Sequence, residues 1–293
     1  MHNDNINLID KNTKILIIGL GVIGGGYAQA LTEKGYTVNC ITKEQKDIDY
    51  ALNKGIISYG TTKLDEELIK NSNLIIFAVY PKVFIDWIKE NQNLFSAGTL
   101  ITDVTGVKGS VVYEVQSILR SDVEFISAHP MAGRESSGVE YSDAGVFKGA
   151  NYIVTPTEKN SQKAIRACIQ LGEILGFSKI TKLSVEEHDQ MIAFLSQLTH
   201  CIAVTLMTCN ETPNLEKYTG DSFLDLTRIA KINDRMWSEL FLMNKQPLIE
   251  QMDAFLAEFN RFKKLLEDGN EQEMRLTMQR ATSRRSLFDK PKA

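Results

Sequence analysis

The chain has 293 residues, 43% of them hydrophobic, which is enough for one large domain or two of ordinary size. Its 33 lysines and arginines stand against 37 aspartates and glutamates, so the net charge of -4 provides no positive field to hold a polyanion. We therefore expect no nucleic-acid partner. The four cysteines form no CxxC pair and no framework of a small secreted domain, which predicts reduced, buried thiols.

No targeting or membrane segment is predicted. The N-terminus, MHNDNINLIDKNTK, is polar, and the first apolar run after it opens a glycine motif instead of ending at a cleavage site. The stretch 191–209 is apolar enough to raise the question of a membrane span, but four polar residues interrupt its middle. We expect a buried helix there, in a soluble cytoplasmic protein that does not contact a membrane.

The first part of the chain alternates short apolar runs with helical patterns, up to about residue 180. Strands this apolar are typical of a parallel sheet that is covered by helices on both faces. The pattern predicts a doubly wound α/β domain of the Rossmann type over residues 1–182. The predicted strands are KILIIG, TVNCIT, LIIFAV, TLITDV, VEFISA and NYIVTP.

The second part, residues 183–293, has helical periodicity only, with breaks at Pro213, near Gly220 and at Pro247. Each of its apolar segments provides a stripe that must be buried against something. We therefore predict an all-helical domain that forms a homodimer. A compact monomeric bundle is the alternative.

A glycine motif, Gly19-Leu20-Gly21-Val22-Ile23-Gly24, follows the first predicted strand directly and opens a helical pattern. In a dinucleotide site the first glycine makes the tight turn, the second admits the pyrophosphate, and the third lets helix and strand pack closely. A glycine-rich turn without a ligand is the alternative. The predicted cofactor contacts are Gly19, Gly21, Val22, Ile23, Gly24 and Val79, the last at the end of LIIFAV.

The end of the second predicted strand bears on the choice of cofactor. NAD enzymes usually carry an acidic residue there, which accepts a hydrogen bond from the ribose 2'-hydroxyl. Here Thr42 and Lys43 occupy the place, and Glu44 follows. The absence of a carboxylate at Thr42 and the positive charge of Lys43 favour NADP, although Glu44 leaves NAD open and Lys43 could simply be solvated.

His129 follows the strand VEFISA in the sequence AHPMAGRE. Ligands of open α/β sheets lie outside the carboxyl ends of the strands, so this histidine is expected at the mouth of the cofactor crevice. Its unperturbed pKa near neutrality suits proton transfer. Position alone leaves a structural histidine equally possible.

At this point the chain resembles the prephenate and arogenate dehydrogenase family. HPMAGRESSG is similar to the HPxAGxExxG signature of that family, and SQLTH at 196–200 is similar to its SHxPH helix. FLDLTRIA at 223–230 resembles its FxDxTRIA segment, and Met236-Trp237 with Asn244 resembles the stretch that follows. The resemblance covers about residues 14–244 and implies a Rossmann-type dehydrogenase with a helical domain.

The resemblance also implies a reaction and a set of roles. These enzymes transfer a hydride to NAD or NADP and release the ring carboxylate of prephenate or arogenate as carbon dioxide. His129 would accept the proton of the substrate hydroxyl, and the planar fork of Arg228 would bind a substrate carboxylate. A surface or helix-cap ion pair is the alternative for Arg228, and a buried polar seam is the alternative for Ser196 and His200. The implied substrate-binding residues are Arg228, Ser196, His200, Thr105 and Gly133.

Two departures from the family pattern affect this site. Gly106 stands where the family often has a serine beside the catalytic histidine, so Thr105 or a water molecule would have to provide the hydroxyl. Gln197 and Thr199 replace histidine and proline in the SHxPH helix. His188, in EEHD, is interpreted as a structural or capping residue. The family's regulatory and mutase domains are not expected in this chain.

Other functions remain as alternatives. A β-hydroxyacid or imine reductase would share the two-domain plan but lacks HPMAGRE together with the TRIA segment. A ligand-sensing Rossmann module would keep the glycine loop but has no reason to keep His129 and Arg228 together. No residue distinguishes prephenate from arogenate, which differ in a side-chain keto or amino group.

Overall fold

The computed structural model describes residues 8–133, 136 and 138–289. The chain forms two compact units, Met1–Asn244 and Lys245–Ala293. The boundary predicted at residue 182 marks a change of secondary structure within the first of these units, and as a domain boundary it stays a prediction.

The first unit is built on a six-stranded parallel sheet with the spatial order β3-β2-β1-β4-β5-β6. The order reverses between β1 and β4, which is the switch point where ligands bind in such sheets. The predicted doubly wound α/β class is confirmed. The strands are β1 (Ile15–Ile18), β2 (Val38–Ile41), β3 (Tyr59–Thr61), β4 (Leu74–Phe77), β5 (Leu100–Asp103) and β6 (Glu124–Phe125).

The last two predicted strands do not extend this sheet as expected. VEFISA is divided at Ile126 into β6 and β7 (Ser127–Pro130), and β7 belongs to a second sheet. There it pairs antiparallel with β8 (Asn151–Thr155), which pairs parallel with β9 (Lys179–Lys182). The one-residue division turns the chain out of the parallel sheet, so that His129 lies on the second sheet.

The core lies on both faces of the parallel sheet. Because side chains alternate along a strand, Ile15 and Ile17 of β1 pack into one buried cluster, and Leu16 and Ile18 into the other. All four residues are buried, which is why the run has no polar face. The helices associated with this core are α1 (Val22–Glu33), α2 (Gln45–Asn53), α3 (Glu66–Lys70), α4 (Pro81–Asn91), α5 (Gly109–Ile118) and α6 (Gln162–Leu175).

From Val185 onward the regular elements of the described residues are all helices, as predicted, with no strand among them. Pro247 does not break a helix, because it lies in the first turn of α11, where its missing N–H costs nothing. The break falls at Asn244 instead. The helices are α7 (Val185–Ile192), α8 (Thr199–Thr208), α9 (Asp221–Thr227), α10 (Asp234–Met243), α11 (Lys245–Glu267) and α12 (Glu271–Arg285).

Helices α7 and α8 are joined without a break by a π-helical segment, Ala193–Leu198. The whole helix, Val185–Thr208, is long and apolar enough to cross a membrane by length and composition, and 28% of its apolar window is buried. The prediction of a buried helix is therefore confirmed only in part when one chain is considered alone. Phe194, 55% exposed, is the most exposed apolar side chain on it.

Candidate active site

The glycine loop has the backbone geometry that its sequence predicted. Gly19 has a φ of +96°, and a Cβ there would lie 2.5 Å from the carbonyl oxygen of Ala78 at the end of β4. A Cβ on Gly24 would lie 2.1 Å from the carbonyl oxygen of Gly19, so only glycine lets helix α1 pack this closely on the loop. A Cβ on Gly21 would meet nothing within 4 Å.

The N-terminus of α1 is suited to an anion. Its N-cap residue, Gly21, has no side chain to cap the helix, and the first turn, which begins with Val22 and Ile23, contains no acidic residue. Backbone N–H groups and the helix dipole at such an end bind phosphate. Val79 lies against Gly19, since its Cγ1 would be 2.6 Å from an added Cβ. These residues fit the pyrophosphate of a dinucleotide.

Thr42 and Lys43 follow β2 at the same edge of the sheet. The hydroxyl oxygen of Thr42 accepts a hydrogen bond from the backbone N–H of Leu20 at 3.2 Å, so this side chain faces the glycine loop. Lys43 is exposed. The glycine loop and the end of β2 are therefore linked directly.

His129 lies on β7 and faces the loop after β5. Its Nδ1 is 2.9 Å from Nε2 of His188 on α7. Its Nε2 faces Gly106, because a Cβ added to Gly106 would lie 3.8 Å from that nitrogen. Since β5 neighbours β4, and β4 neighbours β1, the loop that His129 faces and the glycine loop lie at the same edge of the parallel sheet.

His188 and Asp189 complete a line of three side chains that the sequence did not reveal. Nδ1 of His188 is 2.8 Å from Oδ1 of Asp189, and the His188 side chain is fully buried. The Asp189 carboxylate also accepts from the backbone N–H groups of Lys108, at 2.8 Å, and Gly109, at 2.7 Å, at the start of α5. Of the two interpretations of His188, structural or capping, the capping one was wrong, because Ser184 and Glu187 form the capping box of α7.

A second buried network lies next to this line. The Lys108 ammonium donates to Asp103 at 3.0 Å, to the hydroxyl of Thr105 at 3.3 Å and to the carbonyl oxygen of Ala128 at 2.8 Å. The Thr105 hydroxyl also contacts the Asp103 carboxylate. The bond to Ala128, the neighbour of His129, ties β7 to the loop after β5. The Thr105 hydroxyl is thus hydrogen-bonded to Asp103, whereas the ring of His129 is hydrogen-bonded to His188.

The surroundings of the two histidines keep both neutral near neutral pH. Burial lowers the pKa of His129 well below its ordinary value, and nearby His188 and Lys108 lower it further. Burial also lowers the pKa of His188, although the hydrogen bond with Asp189 acts in the opposite direction. A neutral imidazole can accept a proton, so His129 is in the protonation state that a general base needs.

Ser196 and His200 lie one helical turn apart, as their spacing predicted. Nδ1 of His200 donates to the carbonyl oxygen of Ser196 at 2.7 Å, and the imidazole stacks on Trp237 of α10 at 3.7 Å between ring centroids. Gln197 is different: it is buried, donates to the carbonyl oxygen of Leu240 at 3.0 Å and accepts from Asn244 at 2.7 Å. The buried polar seam considered as an alternative exists, but Gln197 forms it.

Arg228 begins a short 3-10 helix, Arg228–Ala230, that packs against α8, the helix of His200. The arginine is exposed. Gly133 is also exposed, and a Cβ there would meet nothing within 4 Å. Arg134 and Glu135, in the HPMAGRE segment, lie outside the described residues.

The sequence contains two family matches. Residues 27–178 match the prephenate dehydrogenase nucleotide-binding domain, and residues 184–280 match the prephenate dehydrogenase dimerization domain. Among curated proteins, prephenate dehydrogenase of Bacillus subtilis is 28% identical over 86% of this chain and 70% of its own length. Cyclohexadienyl dehydrogenase of Zymomonas mobilis is 28% identical over 87% of this chain and 90% of its own.

Solved structures agree with these matches. Prephenate dehydrogenase of A. aeolicus, in complex with hydroxyphenyl propionate and NAD+, has a TM-score of 0.88 at 30% identity, covering 94% of this chain and 98% of that one. Synechocystis arogenate dehydrogenase has a TM-score of 0.82 at 20% identity over 94% of this chain and all (100%) of that one, which is a likeness of fold. Together with the glycine loop and the histidine site, these matches show that the chain belongs to the prephenate dehydrogenase family of NAD(P)-dependent oxidoreductases.

Proposed function

We propose that the chain is a prephenate dehydrogenase, which converts prephenate to 4-hydroxyphenylpyruvate and carbon dioxide with reduction of NAD or NADP, in tyrosine biosynthesis. The observation that carries the proposal is the position of His129. Its Nε2 faces the loop after β5, on the sheet edge that also holds the glycine loop. In the proposed complex, His129 is the base beside the nicotinamide of the bound dinucleotide.

The chemistry of prephenate matches this arrangement. Its ring carries a carboxylate and a 4-hydroxyl, and the 4-carbon gives its hydride to the bound cofactor. As the hydride leaves, the bond to the ring carboxylate breaks, carbon dioxide departs and the electron pair completes the aromatic ring. Nε2 of His129 takes the proton of the 4-hydroxyl and returns it to the phenol oxygen of the product.

Substrate recognition needs groups for two carboxylates and for the hydroxyl. In the proposed complex, Arg228 binds one carboxylate with its guanidinium fork. Ser196 and His200, on one helical face, bind polar groups of the substrate, and the backbone at Gly133 closes the site. Thr105 contributes by fixing the loop before Gly106, since its hydroxyl is engaged with Asp103.

For the cofactor, we propose a preference for NADP over NAD. No carboxylate stands at Thr42, where it would repel a 2'-phosphate, and the exposed Lys43 next to it can attract one. Relatives with NADP in their names, such as prephenate dehydrogenase [NADP(+)] of Saccharomyces cerevisiae, are consistent with this, while the A. aeolicus structure contains NAD+.

Arogenate is the second candidate substrate, favoured by the likeness of fold to an arogenate dehydrogenase. The two substrates should be compared by the absorbance of the reduced nicotinamide, with each of the two cofactors in turn. We expect the largest kcat/KM with prephenate and NADP. A larger value with arogenate would reassign the substrate, and no reduction with either would refute the proposed function.

We further propose that two copies associate through the helical part of the chain and that the enzyme is cytoplasmic. The family match at residues 184–280 is described as a dimerization domain. The exposed apolar side chains of the α7–α8 helix, among them Met191, Phe194 and Leu195, need a covering surface. Sedimentation at micromolar concentration should give twice the mass of one chain. A monomer at that concentration would contradict the proposal.

A further inference from the structure

Three polar side chains, the buried Asp189 and His188 and the half-buried His129, form one hydrogen-bonded line that ends at the proposed base. The Asp189 carboxylate is 2.8 Å from Nδ1 of His188, and Nε2 of His188 is 2.9 Å from Nδ1 of His129. The line joins two elements of the fold, α7 and β7. His188 is fully buried, so solvent does not compete for either bond.

The donors and acceptors of this line have one consistent order. The Asp189 carboxylate already accepts from two backbone N–H groups, at Lys108 and Gly109, so we take it as the acceptor toward His188 as well. A neutral His188 that donates through Nδ1 must accept through Nε2. His129 must then donate through Nδ1, which leaves a lone pair on its Nε2.

We infer that His188, held by Asp189, is a positioning residue that fixes His129 in the Nδ1–H tautomer and thereby keeps its Nε2 available as the base. This rests on the proposed function, in which Nε2 takes the proton of the substrate hydroxyl. In the other tautomer a hydrogen would occupy Nε2, and the face toward Gly106 would hold a donor instead of a base. The same hydrogen bond stabilises the imidazolium that forms during the reaction.

The line can be tested at His188 without disturbing the rest of the fold. Asp189 is unsuitable because its carboxylate also caps the start of α5. His188→Asn keeps an amide close to the position of Nδ1, and so keeps the bond to Asp189, but does not reach His129. His188→Gln places an amide oxygen close to the position of Nε2, where it can still accept from His129. The two variants form a matched pair.

With the substrate that the enzyme turns over, we expect His188→Asn to lower kcat by roughly tenfold to a thousandfold, the scale for loss of a group that orients a catalytic histidine. KM, cofactor affinity and melting temperature should stay near wild type. His188→Gln should recover most of the lost kcat. Equal kcat in His188→Asn and wild type, or no recovery by His188→Gln, would overturn the inference.

The tautomer itself is measured by nitrogen-15 NMR of histidine-labelled protein, which has four histidines in all. The His129 signals, assigned by their loss in His129→Asn, should show a protonated Nδ1 and an unprotonated Nε2 in wild type and in His188→Gln. His188→Asn should shift His129 toward the Nε2–H form. A protonated Nε2 in wild type would refute the inference even if the variants fail to fold. An enzyme that reduces no cofactor would refute the proposed function alone.

Discussion

His129 is the residue on which the proposed chemistry depends most directly. His129→Asn keeps a polar side chain of similar size but removes the base, so kcat should fall by about a hundredfold to ten-thousandfold. Cofactor affinity should change little, because the glycine loop follows β1, whereas His129 lies on β7. Steady-state kinetics and a cofactor titration check both expectations. An unchanged kcat would show that His129 is not the base.

Gly106 is one of the two departures from the family pattern that the sequence shows. A Cβ there would lie 3.8 Å from Nε2 of His129 and 3.9 Å from Cδ1 of Leu240, which are ordinary contact distances. The site therefore has space for a side chain that the sequence does not provide, and the histidine is held from its other nitrogen by His188.

We expect Gly106→Ser to raise kcat/KM by about twofold to tenfold, the worth of one added hydrogen bond near the 4-hydroxyl of the substrate. Gly106→Ala is the matched control, since it fills the same space without a hydroxyl. Steady-state kinetics of both variants separate the effect of the hydroxyl from the effect of filling the space. If serine and alanine have the same effect, or if serine lowers kcat/KM, a hydroxyl at this position does not assist His129 in this chain.

At the scale of secondary structure, the sequence predicted the elements that a pattern of apolar residues can reveal. The strands with fully apolar runs and the glycine turn were predicted correctly, because both depend on local residue types. Short edge strands such as Tyr59–Thr61 and Lys179–Lys182 were not, since their pairing depends on distant neighbours. The contact of His188 with His129 was missed for the same reason, because the two residues lie 59 positions apart in the chain.

The end of β2 gives a prediction about the cofactor. Thr42→Asp keeps an oxygen that can accept from the N–H of Leu20, but adds a charge that repels a 2'-phosphate and accepts from a 2'-hydroxyl. The ratio of kcat/KM for NAD to that for NADP should rise by about tenfold or more. Thr42→Asn, of the same shape without the charge, should change it far less. Equal ratios in the three proteins would show that Thr42 is not next to the ribose.

The short helix that begins at Arg228 gives a prediction about the substrate. Arg228→Ala should weaken substrate binding by roughly 2–5 kcal/mol, the scale for removing one partner of a desolvated charge pair, so that KM rises steeply. Lysine should rescue only in part, because a point charge cannot replace the guanidinium fork. Kinetics, cofactor titration and a melting curve together distinguish a substrate-binding role of Arg228 from a structural one. A collapsed melting temperature with unchanged KM would make Arg228 a structural residue.

At the scale of the whole molecule, the neutral pair of His129 and His188 links stability to pH. Burial lowers the pKa of both in the folded state, whereas in the unfolded chain each titrates near about 6.5. As pH falls below about 6.5 the unfolded chain therefore binds more protons than the folded one, and the free energy of unfolding decreases. Above about pH 7 the pair adds no pH dependence.

Denaturant unfolding between about pH 5 and 7, where most carboxylates stay ionised, checks this expectation. His129→Asn should show a smaller loss of stability across that range than wild type, because it has one histidine of lowered pKa fewer. An identical pH slope in the two proteins would show that His129 is not held neutral by the fold.

Asp189 connects parts of the chain that look separable in the sequence. Its carboxylate binds the backbone at the start of α5, 80 and 81 residues earlier, and its carbonyl oxygen accepts from Asn244, 55 residues later, at 2.9 Å. A fragment that stops at residue 182 would leave the two N–H groups and the ring of His129 without these partners. The junction of a chimera made from this enzyme should therefore lie after Asn244. A dinucleotide-binding fragment that ends at the change of secondary structure would lose His188 and Asp189, which contact His129 and the start of α5.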